Sequence, residues 1–252
     1  MKLFLLTLRF LTRIPVPYRG EEVLSDEEFS KGVMFYPLIG LLVGLLCGGV
    51  YFLFTRTGYP LMGAAAAVFF QICITGAFHL DGLVDTCDGL FSARKKETML
   101  EIMRDSRVGT NGAIAVVFDI LWKVLLIAGF RGNIVYDAII FMPVAGKTIT
   151  PILMHSAYAR EKSGLGSIYL KDKYTLPMMI AMGSGTVMLC LWLGIAGAIA
   201  LFTAFVSGLL VRFYCNKKIG GMTGDTLGAG CEVGEIIFLM SMIFLERWGI
   251  WT

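Results

Sequence analysis

The stretch from Val33 to Phe54 reads VMFYPLIGLLVGLLCGGVYFLF and contains no charged side chain. About 20 apolar helical residues cross the roughly 30 Å hydrocarbon core of a bilayer, so this stretch predicts a membrane-spanning helix. Similar runs recur along the chain, with only a weak break between the fifth and sixth runs around Gly194. We therefore predict an all-α, polytopic helical membrane protein with about seven transmembrane helices. The other six runs lie near 61–80, 112–130, 134–156, 176–194, 195–213 and 229–246.

The composition agrees with a single integral membrane domain over residues 1–252. Hydrophobic residues make up 56% of the chain and charged residues only 16%, with a mean hydropathy of +0.73, whereas soluble domains carry about 25% charged residues. A net charge of +3, with no single basic stripe, argues against nucleic acid as a partner and leaves the lipid bilayer. The six cysteines form no C-x-x-C pair, so neither a zinc site nor a disulfide framework is predicted.

Residues 1–14 are predicted to form an amphipathic helix at the membrane interface, ended by Pro15 and Pro17. The first eight residues resemble a secretory signal in their hydrophobicity. Arg9 and Arg13 interrupt the apolar run too early for such a signal, and no small-residue cleavage site follows. We expect the segment to stay on the protein.

The orientation is predicted from the basic residues in the connections. Four alternate connections carry 17 Lys and Arg residues, and the connections on the opposite side carry only three, Arg56, Arg131 and Arg247. Because basic loops stay in the cytoplasm, the N-terminus and these four segments are predicted to be cytoplasmic. The four segments are 1–32, 81–111, 157–175 and 212–228.

Gly40, Gly44 and Gly48 recur every four residues in the first span. This spacing places them on one helix face, which predicts close packing against another helix.

The segment 79–88, HLDGLVDTCD, concentrates carboxylates at Asp81, Asp85 and Asp88. At about 100° per residue these three side chains fall within roughly 60° of each other on a helix. Like charges repel, and a divalent cation would relieve the repulsion; Mg²⁺ suits carboxylates, water and phosphate better than zinc does. A solvated face at a helix end, or N-capping by Asp81, is the alternative. His79 does not share this face and is either a buried, hydrogen-bonded histidine or a functional one, acting as a general base or as a hydrogen-bond donor to phosphate.

The segment 101–107, EIMRDSR, places Arg104 and Arg107 three residues apart beside Asp105, and Arg94 with two lysines precedes it. Arginines next to a metal site suit a diphosphate substrate, because guanidinium groups bind phosphate oxygens bidentately. A solvated surface helix anchored by positive charge explains the same pattern.

The segment 220–230, GGMTGDTLGAG, leads into the last span, and Glu232 and Glu235 follow inside that span. A glycine-rich helix start offers free backbone amides to phosphate. Asp225 is either the N-cap of this helix or a further metal ligand. Helix packing explains the glycines equally well, but it does not explain two glutamates near the membrane edge.

These pieces together resemble the cobalamin synthase (adenosylcobinamide-GDP ribazoletransferase) family. Residues between about 113 and 215 match that family only in hydropathy, so they carry no inherited role. The resemblance rests on 9–17 (RFLTRIPVP), 36–40 (YPLIG), 76–112, and 221–228 (GMTGDTLG) with Glu232 and Glu235.

The resemblance implies a Mg²⁺-dependent transferase in the cytoplasmic (inner) membrane of a bacterium or archaeon. Its substrates would be adenosylcobinamide-GDP and α-ribazole or its 5′-phosphate, and its products adenosylcobalamin (or its 5′-phosphate) and GMP. Asp81, Asp85 and Asp88 would be metal ligands. The implied catalytic residues are His79, Asp81, Asp85 and Asp225, and the implied substrate contacts are Arg94, Arg104, Asp105, Arg107, Thr223, Gly224 and Glu232.

Two alternatives belong to other classes of protein. CDP-alcohol phosphotransferases begin their acidic motif D-G-x-x-A-R, but here Asp81-Gly-Leu-Val is followed by Asp85 and Thr86. A small transporter would also carry acids near its spans, but paired inverted halves are not evident. A homo-oligomer or a complex with other cobamide-assembly enzymes is left open.

Overall fold

The computed structural model describes residues 1–16, 26–160 and 175–251, and over these residues the regular structure is helical apart from one isolated bridge between Tyr158 and Met222. The predicted all-α class is confirmed. Pro17 and residues 161–174 of the predicted basic connection lie outside the described residues. The helices are α1 Lys2–Leu11, α2 Asp26–Lys31, a 3₁₀ turn Gly32–Phe35, α3 Tyr36–Thr55, α4 Pro60–Thr75, α5 Phe78–Leu90, α6 Lys96–Ile102, α7 Thr110–Gly129, α8 Ile134–Met154, α9 Thr175–Ile219 and α10 Gly224–Arg247.

Helix α8 lies at the centre of the bundle and packs against α3, α9 and α10. Most of its side chains are buried. A Cβ atom on Gly40 of α3 would lie 2.6 Å from the carbonyl oxygen of Pro143, and one on Gly48 would lie 3.4 Å from the side chain of Ile140. The glycine strip of α3 therefore lets the two backbones approach, and its prediction as a helix contact is confirmed.

Five helices in the described residues are long and apolar enough to cross a membrane, or six if α4 and α5 form one bent span. The prediction of about seven agrees with this count once α9 is divided, because its 45 residues join two helices across a kink. At 1.5 Å per residue these residues amount to about 68 Å of helix, enough for two crossings of the hydrocarbon core. Gly194, at the predicted break, has non-helical backbone angles. The fifth and sixth predicted spans are thus the two arms of one bent helix.

The predicted span 61–80 is wrong at its C-terminal end. Helix α4 stops at Thr75, and α5 leaves at 90° to it after a two-residue turn. The amide of Gly76 donates to Cys73, and that of Ala77 donates to Ile72, both residues having positive φ. This Schellman arrangement satisfies the last carbonyls of α4 and turns the chain by 90° into α5.

Helix α1 ends at Leu11, three residues before the predicted boundary, and Thr12 is already extended. The Arg13 amide donates to the Ile74 carbonyl at 2.6 Å, which attaches the N-terminal segment to the end of α4. Leu8 and Leu11 are buried in the bundle. The amphipathic helix therefore covers the turn between α4 and α5.

Candidate active site

A cavity of about 240 Å³, hereafter the acidic cavity, opens where the four predicted basic connections meet. Each of these connections contributes at least one lining residue, although they are widely separated in the sequence. Their convergence agrees with the prediction that they lie on one side of the bundle. The lining residues from the four connections are Phe10, then Asp81 and Gly82, then Tyr158 and Arg160, and finally Gly224, Asp225, Leu227 and Gly228.

One wall of the cavity is the first turn of α10. Thr223 is the N-cap: its hydroxyl accepts from the Thr226 amide at 3.2 Å, and the Thr226 hydroxyl accepts from the Thr223 amide at 2.7 Å. The N-cap alternative for Asp225 is therefore wrong. Asp225 instead lies in the first helical turn with Gly224, where amide groups lack intrahelical acceptors.

Arg160 was missed by the sequence analysis. The Ala159 amide donates to the Met222 carbonyl at 2.9 Å, and the Met222 amide donates to Ala157 at 2.8 Å. This pairing holds the Arg160 guanidinium 2.6 Å from the Asp225 carboxylate. Its Nε is buried and has no acceptor among the described residues. In the sequence, Arg160 was only one of the basic residues that predicted orientation.

Helices α5 and α10 approach through two glycines. A Cβ on Gly82 would lie 2.6 Å from the carbonyl oxygen of Asp225, and one on Gly228 would lie 3.0 Å from the carbonyl oxygen of His79. Side chains at these positions would force the helices apart. The glycines thus bring Asp81 and Asp225 to the same cavity, as the sequence predicted.

Asp85 lies one helical turn beyond Asp81 and is half-buried. The charges of Asp225, Asp81 and Arg160 all act on its carboxyl group. We call Asp81, Asp85 and Asp225 the acidic cluster. Asp81 and Asp225 line the acidic cavity with Arg160, and Asp85 is close enough for their charges to act on it, so a divalent cation would reduce the excess negative charge.

Asp88 does not join the acidic cluster. Its buried carboxylate accepts from the amide of Gly109 at 2.7 Å and from the amide of Gly112 at 2.8 Å, which caps the start of α7. It shares a helical face with Asp81, but it lies about 10 Å further along the axis. Over the described ranges, no three His, Cys, Asp or Glu side chains are placed to hold a metal ion. Asp88 therefore acts as a helix cap in this structure, and its role as a metal ligand with Asp81 and Asp85 stays a prediction.

His79 is buried, as one of its two interpretations predicted, with 7% of its surface exposed. It lines both the acidic cavity and a smaller polar space of about 10 Å³. Lys123, Lys147 and Glu232 line the smaller space. Its role as a general base stays a prediction.

Glu232 lies outside the acidic cavity, in a buried ion cluster between α7, α8 and α10. Lys123 is its centre: the ammonium pairs with Glu232, lies 3.0 Å from Glu235 and lies 3.3 Å from Asp119. Charges inside a span are costly unless they are paired, which accounts for the two glutamates that the sequence left unexplained. The cluster consists of Asp119, Lys123, Lys147, Glu232 and Glu235, with Gln71 donating to Glu235.

The predicted arginine contacts do not line the cavity. Arg94 and Arg104 are exposed, and the Arg107 guanidinium binds Asp105 with two nitrogens. Hydrogen bonds from Arg107 lower the pKa of Asp105 to about 2. Asp105 therefore stays ionised and occupies the phosphate-binding edge of Arg107.

Comparison with known proteins identifies the family. The sequence pattern of cobalamin-5-phosphate synthase matches residues 3–243, nearly the whole chain. The chain belongs to this family. Its resemblance to cobalamin synthases is thereby confirmed.

Relatives within the cobalamin synthase family are similar over their full lengths. The adenosylcobinamide-GDP ribazoletransferase of Citrobacter koseri is 40% identical over 248 residues, which cover 96% of this chain and 99% of that protein. The enzyme of the same name from Clostridium novyi is 38% identical over 258 residues, covering 99% and 100%. That of Escherichia coli strain K12 is 38% identical over 247 residues, covering 96% and 99%. No solved structure gives a significant match.

Membership in the cobalamin synthase family makes this chain an enzyme, a transferase of cobalamin biosynthesis. The apolar helices make it a multi-pass membrane protein. Neither the CDP-alcohol phosphotransferase alternative nor the transporter alternative gains support from these comparisons.

Proposed function

We propose that the chain transfers the adenosylcobinamide phosphoryl group from adenosylcobinamide-GDP to α-ribazole or to its 5′-phosphate. The products would be adenosylcobalamin, or its 5′-phosphate, and GMP. The names of the relatives support these substrates. The observation that carries the proposal for this chain is the convergence of Asp81, Asp225 and Arg160 beside the amide-rich start of α10.

The reaction is an in-line displacement at phosphorus. A ribose hydroxyl oxygen forms the new bond to the phosphorus on the cobinamide side, and the bond from this phosphorus to the bridging oxygen of GMP breaks. The hydroxyl proton leaves to a base, for which His79, Asp81 and Asp225 are the candidates in the cavity. Catalysis of such transfers depends on positioning and on neutralising phosphate oxygens.

Two groups in the cavity can neutralise those oxygens. Arg160 has a buried Nε–H without an acceptor in the described part of the chain, so an anion at this position would complete its hydrogen bonding. Gly224 and Asp225 add the free amides and positive end of a helix. These donors support a diphosphate at this end of the cavity.

Mg²⁺ fits the donor set of the acidic cluster. This ion commonly takes one or two carboxylates and completes its shell with water and substrate phosphate. Asp81 and Asp85, with Asp225, would hold it, and it would supply charge neutralisation to the diphosphate.

We further propose that the cavity faces the cytosol and that the protein resides in the inner membrane of a prokaryote. The asymmetry of the basic connections supports this orientation, and all four connections border the cavity. Arg94 and Arg104, which are exposed, stay predicted contacts for the diphosphate substrate.

The direct test is GMP release by purified protein in liposomes. Adenosylcobinamide-GDP should yield GMP only when both Mg²⁺ and α-ribazole are present, and Asp81→Asn should abolish release. Glu97→Gln, an exposed carboxylate on α6, is the matched control and should be fully active. GMP release without α-ribazole, or with EDTA in excess, would refute the proposed transfer.

A further inference from the structure

We infer that the acidic cavity has a second, aromatic end that holds the planar base of the acceptor nucleoside, so that the nucleoside binds inside the cavity while the corrinoid remains outside. This inference rests on the proposed function, since it assigns one of its substrates to one part of the site.

The end of the cavity beside α1 is aromatic. The rings of Phe10 and Phe78 meet edge to face with their centroids 4.9 Å apart, although they come from α1 and α5. Phe78 keeps 41% of its surface exposed, so its ring is available to a ligand. Aromatic faces bind planar heterocycles by stacking, with little dependence on the identity of the base. The aromatic residues that line the cavity are Phe10, Tyr36, Phe78 and Tyr158, each from a different part of the chain.

Helix α5 contributes a residue to the aromatic end and a residue to the acidic cluster, both on the same face. Phe78 and Asp81 are three residues apart, so they lie on the same helical face, separated by about 4.5 Å along the axis. A base stacked on Phe78 would therefore place its ribose next to Asp81. Asp225 and Arg160 face the same point from the other side. The attacking ribose hydroxyl would then lie next to the expected position of the phosphorus on the cobinamide side.

The volume of the acidic cavity limits which of the two substrates can enter it. Pockets that enclose a drug-sized ligand measure about 300–1,000 Å³. At about 240 Å³ the acidic cavity is several times too small for a corrinoid macrocycle with its side chains, whereas the planar base and ribose of a nucleoside can enter it. Only the diphosphate of the larger substrate needs to reach the acidic cluster.

The test measures the KM of each substrate separately in variants of Phe78 and compares it with the wild-type value. In Phe78→Leu, which keeps an apolar side chain but removes the ring, the KM for α-ribazole should rise about 5- to 150-fold, which corresponds to base–aromatic stacking of about 1–3 kcal/mol. The KM for adenosylcobinamide-GDP should not change. Phe78→Tyr should restore the wild-type KM. Phe69→Leu is the matched control, because Phe69 is an exposed phenylalanine on α4 that does not line the cavity.

A second measurement does not require turnover. Equilibrium binding of α-ribazole alone to protein in nanodiscs should be weakened by Phe78→Leu and unaffected by Phe69→Leu. An unchanged KM for α-ribazole in Phe78→Leu, or an equal rise for both substrates, would overturn the assignment while leaving the proposed function intact. If the wild-type protein releases no GMP from adenosylcobinamide-GDP, the proposed function itself fails. If it does not bind α-ribazole, the subsite fails.

Discussion

The variant Asp88→Asn tests which of two roles Asp88 has, that of a metal ligand or that of a helix cap. In the structure the Asp88 carboxylate accepts from the Gly109 and Gly112 amides, at 2.7 and 2.8 Å, and only 8% of the residue is exposed. Asparagine keeps one acceptor oxygen but turns an NH₂ group toward the second amide. One charge-assisted hydrogen bond is then lost and the other weakened.

The expected cost follows from these two bonds. Hydrogen bonds to charged groups contribute about 1.5–3 kcal/mol, and loss of an N-cap costs about 0.5–2 kcal/mol. A loss of about 1–3 kcal/mol should lower the Tm of a chain of this size by about 2–12 °C. Thermal unfolding in detergent, followed by circular dichroism, measures this shift.

The metal dependence provides the other half of the test. The Mg²⁺ concentration that half-saturates turnover should be the same in Asp88→Asn as in the wild type. In Asp85→Asn it should rise, with little change in Tm, because Asp85 belongs to the acidic cluster. If Asp88→Asn melts like the wild type but loses its response to Mg²⁺, then Asp88 is a metal ligand and the cap is not its role.

Three further perturbations follow from the geometry. Lys123→Met removes the cation at the centre of the buried ion cluster and should destabilise the protein by about 3–5 kcal/mol. Adding Glu232→Gln should recover part of the lost Tm. Wild-type stability of Lys123→Met would contradict the ion pairs of Lys123. Gly82→Ala should lower kcat, because the added Cβ pushes α5 away from the start of α10. Gly49→Ala is the control and should keep the wild-type kcat, since its Cβ would meet nothing within 4 Å. Equal kcat values in the two variants would show that catalysis does not need the close packing of α5 and α10. Arg160→Ala should lower kcat/KM for the nucleotide substrate by roughly 10- to 100-fold, from a lost charged hydrogen bond, with partial recovery in Arg160→Lys; unchanged kinetics would remove Arg160 from the site.

Most of the helices could be predicted from the sequence, because lipid requires long apolar runs and the chain has them. The boundaries that failed depend on local backbone geometry. The turn after α4 uses Gly76 and also Ala77 with positive φ, a conformation that is rare for residues other than glycine. No hydropathy pattern reveals this turn, so the predicted span continued through it into α5.

The site was predictable where it depends on topology and unpredictable where it depends on single contacts. Counting basic connections correctly placed Asp81 and Asp225 on the same side. The sequence grouped Asp88 with Asp81 because both lie on the same face of α5. The angle around a helix does not show which other helix packs beside each turn, and beside Asp88 that helix is α7. Arg160 reaches Asp225 only because residues 157–159 pair with Met222, and a sequence pattern does not encode such a contact.

Helices α5 and α10, which line the acidic cavity, form a closed ring of contacts with α7. Asp88 joins α5 to α7, Lys123 joins α7 to α10, and Gly82 joins α10 to α5 by close backbone packing. Two of these contacts involve charges that are buried away from the cavity, and removing any one leaves the other two in place. The catalytic geometry should therefore survive the loss of Asp88 or Lys123 better than the stability does, whereas Gly82→Ala acts on the cavity wall itself. The double variant Asp88→Asn/Lys123→Met loses both polar links to α7 and keeps only the glycine contact between α5 and α10, so its fall in activity should exceed the product of the two single effects. A strictly multiplicative loss would mean that the two links act independently and that the ring has no mechanical role.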